Sequence, residues 1–270
     1  MRAVNAQRAA VLSPDELEDV RLRAARNNAA FWEHGPRRMG QRWERWDDLS
    51  AADPGSPSMY LNSATVLRPV RDEAHGTDIA ARLNNFYEAA DGGGFMLWSA
   101  WPLSDLTRFG FRGPGRPPLM MREAGLPFRP APPGLEVVEV TDTVALTGFE
   151  RVLVDGYPAP ELQPFQPGSL FDLRVLGGPA RYWIGRQAGA AVACAAACVS
   201  DGVVGIYAVA ALPEVRGRGY GTAVTAAATL ADPSLPGVLV ASDLGAPVYA
   251  SMGYRQVGHF EIWVHPSRRG

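Results

Sequence analysis

Apolar residues of the chain fall into blocks of strand length between Arg181 and Leu212, cut by two tight turns at Ala188-Gly189 and Asp201-Gly202. R-Y-W-I-G-R-Q, A-V-A-C-A-A-A-C-V and the run from Val203 to Leu212 are therefore read as three strands, and the hairpin spacing makes them antiparallel neighbours. Upstream, L-E-V-V-E-V from Leu135 reads as a strand, and Thr141-Asp142 leads into a helix from about Val144 to Asp155. The segment G-Y-P-A-P-E-L-Q-P-F-Q-P-G that follows is an aromatic, proline-rich loop.

The first half shows similar elements. Ser13-Pro14-Asp15-Glu16 carries an N-cap, a first-position proline and a capping-box glutamate, which predicts a helix running to about Asn28. Residues 32–58 mix Trp, Gly, Pro and charge without a period that places them. Tyr60 to Val70 reads as a strand, Asp78 to Ala90 as a helix, and Gly92-Gly93-Gly94 as a turn into the apolar strand F-M-L-W-S-A-W. Ser104-Asp105-Leu106 caps a short helix ending near Gly110, and Pro118 to Arg122 is another strand. Pro127 to Gly134, P-F-R-P-A-P-P-G, reads as a semi-rigid linker, because proline fixes φ and removes donors. The expected division is 1–126, a linker at 127–134, and 135–270.

Candidate chemistry concentrates in R-G-R-G-Y-G-T, Arg216 to Thr222, between the strand ending at Leu212 and the alanine-rich helix T-A-V-T-A-A-A-T-L. Glycines remove Cβ atoms where a ligand must approach the backbone, and the free N–H groups of a helix start favour an anion. All 26 basic Lys+Arg residues are Arg, so the phosphate-binding P-loop, which needs a Lys, is excluded. Gly217, Gly219 and Gly221 are spaced G-x-G-x-G, with Thr222 where a dinucleotide fingerprint requires the last Gly.

Arg216, Gly219 and Gly221 form R-x-x-G-x-G, and the later stretch L-V-A-S-D-L-G-A-P-V-Y-A-S-M-G-Y ends in Tyr249, Gly253 and Tyr254 as Y-x-x-x-G-Y. The two motifs, in this order, resemble the acetyl-CoA loop and the later strand and short helix of the GNAT N-acetyltransferase superfamily. The resemblance covers roughly Leu135 to the C-terminus. It implies a GNAT fold, an α/β class with a mixed, mostly antiparallel central sheet flanked by helices. The segment W-P-L-S-D-L-T-R-F-G-F echoes a GNAT unit, but residues 1–130 hold no R-x-x-G-x-G. That half is read as a degenerate GNAT-like α/β domain unable to bind CoA in the usual way, with an unrelated α/β cap as the alternative.

By the resemblance, acetyl-CoA is the co-substrate. The backbone of Gly217, Arg218, Gly219, Tyr220, Gly221 and Thr222 would cradle its pyrophosphate, with Arg216 or Arg218 adding charge. Val209, Ala210 and Ala211 would hold the pantetheine arm, Ser242 would contact the cofactor or start the short helix, and Tyr249 would protonate the leaving thiolate. No general base is assigned, since the strand from Val203 to Leu212 lacks a carboxylate. Glu214 reads as a solvent-facing turn residue, and Glu161, Asp172 and Asp201 are candidates for a relay through water. The implied activity is acetyl transfer to a primary amine, a small molecule being favoured by the aromatic loop Tyr157 to Phe165. The alternative is a non-catalytic CoA-binding sensor or scaffold.

Bulk properties bound the partners. A formal net charge of -2 gives no electrostatic reason to expect nucleic acid or an anionic membrane. No apolar run reaches spanning length and no leader pattern opens the chain, so a cytoplasmic protein is expected. Cys194 and Cys198, four apart on one strand, are too far apart to bridge. The four His residues show no ligand spacing, so no metal is expected. A homo-oligomer is left open.

Overall fold

The computed structural model describes residues 12–88, 94–157 and 160–266. The expected Gly92-Gly93 turn, the helix end at Ala90, residues 158–159 of the aromatic loop and the opening eleven residues lie outside them.

Helix α1 spans Pro14–Met39. Its start is the capping box read from the sequence: Glu16 N–H donates to Ser13 Oγ at 3.3 Å and Ser13 N–H to Glu16 Oε2 at 2.7 Å. It continues well past Asn28 because Asn27 and Asn28, poor helix formers, are buried and hydrogen-bonded to other elements. Gly40, at φ 71°, ends the helix in the left-handed region, with its N–H on the Pro36 carbonyl.

The strands β1 (Arg42–Arg45), β2 (Leu49–Asp53) and β3 (Ser63–Val66) follow, then α2 (Glu73–Glu88), β4 (Phe95–Ser99), β5 (Arg112–Gly115) and β6 (Pro118–Arg122). The short helix expected before Gly110 is a single 3-10 turn, Thr107–Phe109. β1, β2 and β5 were not foreseen. β1 is exposed and charged, and β5 reads R-G-P-G, tolerable only at a sheet edge, where Pro need not donate.

The second half contributes β7 (Leu135–Glu139), α3 (Thr143–Gly156), β8 (Ala180–Gln187), β9 (Ala190–Ser200) and β10 (Val203–Ala211). Then come α4 (Tyr220–Thr229), β11 (Gly237–Val240), α5 (Ala246–Ser251), β12 (Arg255–His259) and β13 (Glu261–His265). Asp142 caps α3 by accepting from Ala145 N–H at 2.8 Å. Both hairpin turns carry positive φ at their two central residues: Ala188 48°, Gly189 84°, Asp201 52° and Gly202 71°.

Two sheets result, ordered β1-β2-β3-β4-β13-β5 and β12-β6-β11-β10-β9-β8-β7. Each is antiparallel except for one parallel pair, β3 with β4 and β10 with β11. Next to each parallel pair lies a strand from the other half of the chain. β6 sits between β11 and β12, and β13 sits between β4 and β5. The two sheets therefore repeat one local order and exchange one strand each. The sheets do not part at the proline-rich stretch, because the apolar β6 before it and β13 beyond it each complete the sheet of the opposite half.

Packing reinforces the exchange. One core joins Leu49, Ile79, Leu83, Leu97 and Phe260 to Leu119, Met121, Val203 and Val238 of the second sheet. Each such side chain contributes about 1.5–3 kcal/mol by leaving water. α1 bridges both sheets: Asn27 donates to Cys198 O at 2.9 Å on β9, and Asn28 accepts from the Thr65 hydroxyl at 2.7 Å on β3. Cys194 and Cys198 are free and buried, and burial pushes the Cys198 thiol up to about 12, so neither is a ready thiolate.

Candidate active site

The parallel contact between β10 and β11 covers only Val204 with Gly237 and Gly205 with Val238. Beyond Gly205 the two strands part. On the other edge of β10 the register with β9 slips between Tyr207 and Ala210, and Ala208 sits at φ 49°. The bulge turns the strand away from β11 and opens a gap at its C-terminal end. Leu212 N–H donates to Val192 O on β9. The bonded Leu212 N–H places the Ala210 N–H on the β9 side of the strand, where Ala210 pairs with Cys194, and the Ala211 N–H on the opposite side, toward the gap, while Val209 lines the cavity beyond it. Of the three residues expected beside pantetheine, Val209 lines the cavity, and Ala210 and Ala211 are both in register with β9.

The gap leads to the start of α4. Gly219, at φ 80°, is the N-cap, with no side-chain hydrogen bond to the first turn and no acid in it. The leading N–H groups of the helix are thus left for another partner. A Cβ built on Gly217 or Gly221 would meet no protein atom within 4 Å. Packing therefore does not require glycine at 221, and the backbone there is open to approach. The side chain of Tyr220 is buried in the core behind α4, which leaves only its backbone facing outward. The two arginines divide. Arg216 donates to Ala211 O at 3.3 Å and to Gly156 O at 2.8 Å, tying the loop to the end of α3, whereas Arg218 is exposed with no ion pair among the described residues. Arg216 therefore shapes the loop, and Arg218 leaves its guanidinium free beside it.

At the other end, the gap opens into a cavity of about 880 Å³. Val209, Ser242, Asp243 and Tyr249 line one side of it. Ser242 Oγ accepts from Gly245 N–H at 3.1 Å, so it also shapes the entry to α5, while Asp243 caps nothing. The Tyr249 hydroxyl makes no hydrogen bond among the described residues, and burial, then the neighbouring Tyr254, push its pKa up to about 12. A phenol so shifted stays protonated at neutral pH, where it can give up a proton but does not serve as a phenolate base.

The opposite wall comes from the first half and the loop after α3. Phe31 stacks on Tyr207 at 3.9 Å between centroids and 6° between planes, and Trp32 packs on Trp98 at 6.2 Å. The Tyr207 hydroxyl is held by Asn27 Oδ1 at 2.7 Å. Tyr157, Leu162 and Phe171 carry the post-α3 loop onto the cavity, and Glu161 closes it against the first half by accepting from the Ser58 hydroxyl at 2.6 Å. Phe31 and Trp32 went unplaced by sequence reasoning because α1 was expected to end before them; the apolar F-W pair was the signal.

Of the three carboxylates considered for a water relay, Glu161 stands beside the cavity on Ser58, and the other two, like Glu214, lie elsewhere. Glu214 is exposed in a 3-10 turn, Asp172 caps another and pairs with Arg174 at 2.9 Å, and Asp201 occupies a hairpin turn. Among the described residues, the only acid lining the cavity is Asp243. No group of three or more His, Cys, Asp or Glu side chains among them could hold a metal, and no helix is long and apolar enough to cross a membrane.

The splayed parallel pair, the uncapped glycine-rich helix start and the tyrosine at the end of the gap all lie in the half of the chain that carries a family match. Residues 147–233 match the Acetyltransferase (GNAT) family, and the chain carries a domain of that family. The whole chain is similar to a GCN5-related N-acetyltransferase from Kribbella flavida, at 23% identity and TM-score 0.64 over 90% of this chain and 96% of that one. A GNAT-family acetyltransferase structure from Novosphingobium aromaticivorans is similar at 17% identity and TM-score 0.56, over 92% and 99% of the two chains. A tandem GNAT protein from the clavulanic acid biosynthesis pathway is similar at 14% identity and TM-score 0.53, over 92% and 95%. At these identities the likeness is one of fold, and it extends through both halves. No curated protein sequence matches the chain.

Proposed function

We propose that the protein transfers an acetyl group from acetyl-CoA to a primary amine by direct attack of the amine on the thioester. The observation that carries this reading is the combination of an uncapped start of α4, the gap between β10 and β11, and the unpartnered Tyr249 hydroxyl in a cavity shared with the other half. The pyrophosphate would rest on the N–H groups of Gly217 to Thr222, with Arg218 beside it. The backbone of Val209 and Ala211 would hold the pantetheine arm, and an N–H there would meet the carbonyl oxygen as negative charge builds on it.

In the transfer the amine nitrogen bonds to the carbonyl carbon, the C–S bond breaks, and the ammonium proton leaves to solvent or a base. Tyr249 O–H donates to the departing sulfur. A phenol near 12 lies roughly three units above an ordinary thiol, but the same dry cavity raises the basicity of the thiolate as well.

Incubation with acetyl-CoA and a broad panel of primary amines, read by thiol release and product mass, tests the reading. Acetylated amine is expected. Tight CoA binding without transfer to any amine would overturn it in favour of a CoA-binding sensor.

A further inference from the structure

The charges around the cavity carry a second conclusion, which rests on the transferase reading. Among the described residues its lining holds three charged side chains: Arg112 and Arg116 from the β5 region of the first half, and Asp243 from the turn before α5. Arg116 is neutralised by Glu261 at 3.1 Å. Arg112 has no ion pair or hydrogen bond from its guanidinium among the described residues, and Asp243 is likewise unpartnered. The rest of the wall is mostly apolar and aromatic, including Phe31, Trp32, Trp98 and Tyr207.

We propose that the acceptor is an amine that also carries a carboxylate on an aromatic or apolar body, and that Arg112 holds the carboxylate. An unpaired guanidinium at the edge of an apolar cavity presents a planar fork that matches a carboxylate. Asp243, on the turn that leads to Tyr249, puts the negative group on the side where the amine must meet the thioester. The cavity is therefore polarised, with its cation on one half of the molecule and its anion on the other, which suits an acceptor bearing both charges.

The competing assignment for Arg112 is a CoA phosphate. None of Arg216 to Thr222 lines this cavity, so the pyrophosphate loop lies outside it, away from Arg112. A neutral or purely cationic amine, in turn, would leave the exposed Arg112 guanidinium to solvent.

Matched acceptors test the proposal: L-phenylalanine with phenethylamine, L-tryptophan with tryptamine, and 4-(aminomethyl)benzoate with benzylamine. The carboxylated member of at least one pair is expected to show a kcat/KM about 10- to 100-fold higher, the range for a charged hydrogen-bonded contact. Arg112→Gln should erase that preference by lowering only the carboxylated rate, with the affinity for CoA unchanged, and Arg112→Lys should restore part of it. Equal or better use of the decarboxylated members overturns the proposal. So does an Arg112→Gln variant that slows both members alike, or one that weakens CoA binding. Transfer to other amines but to none of these six also overturns it and leaves the transferase reading standing. Absence of transfer to any amine removes both readings.

Discussion

The two halves place a helix after the first strand of their parallel pair, and the starts of those helices, α2 and α4, have opposite fates. At α2 the chain satisfies the helix start with its own side chains. Asp72 accepts from His75 N–H at 2.8 Å, Glu73 supplies an acid in the first turn, and Arg108 pairs with Glu73 at 2.9 Å. A Cβ on Gly76 would lie 2.6 Å from Ser104 Oγ, so the space beside that glycine is taken by the chain's own side chain. At α4 no side chain caps the start, no acid stands in the first turn, and Gly217 and Gly221 face open space. The strands differ in the same sense. β3 keeps its register with β4 over three residues, whereas β10 parts from β11 after two. Shared topology therefore does not make two ligand sites. An anion can bind where the chain leaves helix dipole and backbone donors without internal partners.

The sharpest way to break this contrast is Gly221→Glu. The position is helical with room for a side chain, so the fold should be retained, while a carboxylate placed against pyrophosphate is repelled by several kcal/mol. CoA affinity is expected to fall by about 10³-fold or more, with the melting temperature little changed; calorimetric titration checks it. Gly219→Glu is a poorer probe, because φ 80° there strains any side chain and Pro132 lies 3.3 Å from a built Cβ. Gly76→Ala is the counterpart, expected to be accommodated by rotation of the Ser104 side chain and to leave CoA affinity unchanged.

The second test asks whether the halves are separable at all. Trp263, 3% exposed on the exchanged strand β13, is embedded in the first-half core. Trp263→Ala should cost about 3–5 kcal/mol. Because each sheet holds a strand of the other, denaturant unfolding followed by fluorescence and by CoA binding should give one coincident transition at a lower midpoint. A variant that lost first-half structure yet bound CoA normally would show two independent domains.

Catalysis and binding are distinguished by Tyr249→Phe. Loss of the donor should lower kcat by about 10²-fold with CoA affinity unchanged. With its hydroxyl raised to about 12, Tyr249 contributes no limb to the pH–rate profile through the neutral range, and the acid form is lost only as pH rises through that value. A limb near neutral pH that disappears in the variant would contradict this.

Much of the second half was legible in the sequence because its signals are local. Positive-φ turns at Ala188-Gly189 and Asp201-Gly202 fix the hairpins, and the glycine frame marks the start of α4. Pro118–Arg122 was legible as a strand to the residue, but not its place between β11 and β12, since an apolar pentapeptide carries no record of its partner. The acceptor wall failed for a related reason. Asn27 and Asn28 look like a helix end until their partners on β9 and β3 are known, and Phe31 and Trp32 lie just beyond them. The separate roles of Arg216 and Arg218 depend on where Gly156 sits, which no spacing in the loop reveals.

The smallest expected effect concerns what holds the α2 corner closed without a ligand. Asp48, before β2, takes both ends of the Arg82 guanidinium at 2.9 and 2.8 Å and the His75 ring at 2.6 Å. The Arg82 hydrogen bonds, and secondarily His75, hold the Asp48 carboxyl well below the usual carboxylate range against the opposing effect of burial. A depressed carboxyl pKa stabilises the fold above the unfolded value of about 3.9, and that stability is lost as pH falls below it toward the folded value. Asp48→Asn should therefore cost about 2 kcal/mol at neutral pH, the range for hydrogen bonds to a charged group, lowering the melting temperature by roughly 5 °C. The difference from the unmodified protein should shrink as pH falls below about 4, and CoA affinity at pH 7 should not move. If Asp48→Asn weakened CoA binding instead, the α2 corner would be part of the ligand site and the contrast between the halves would fail.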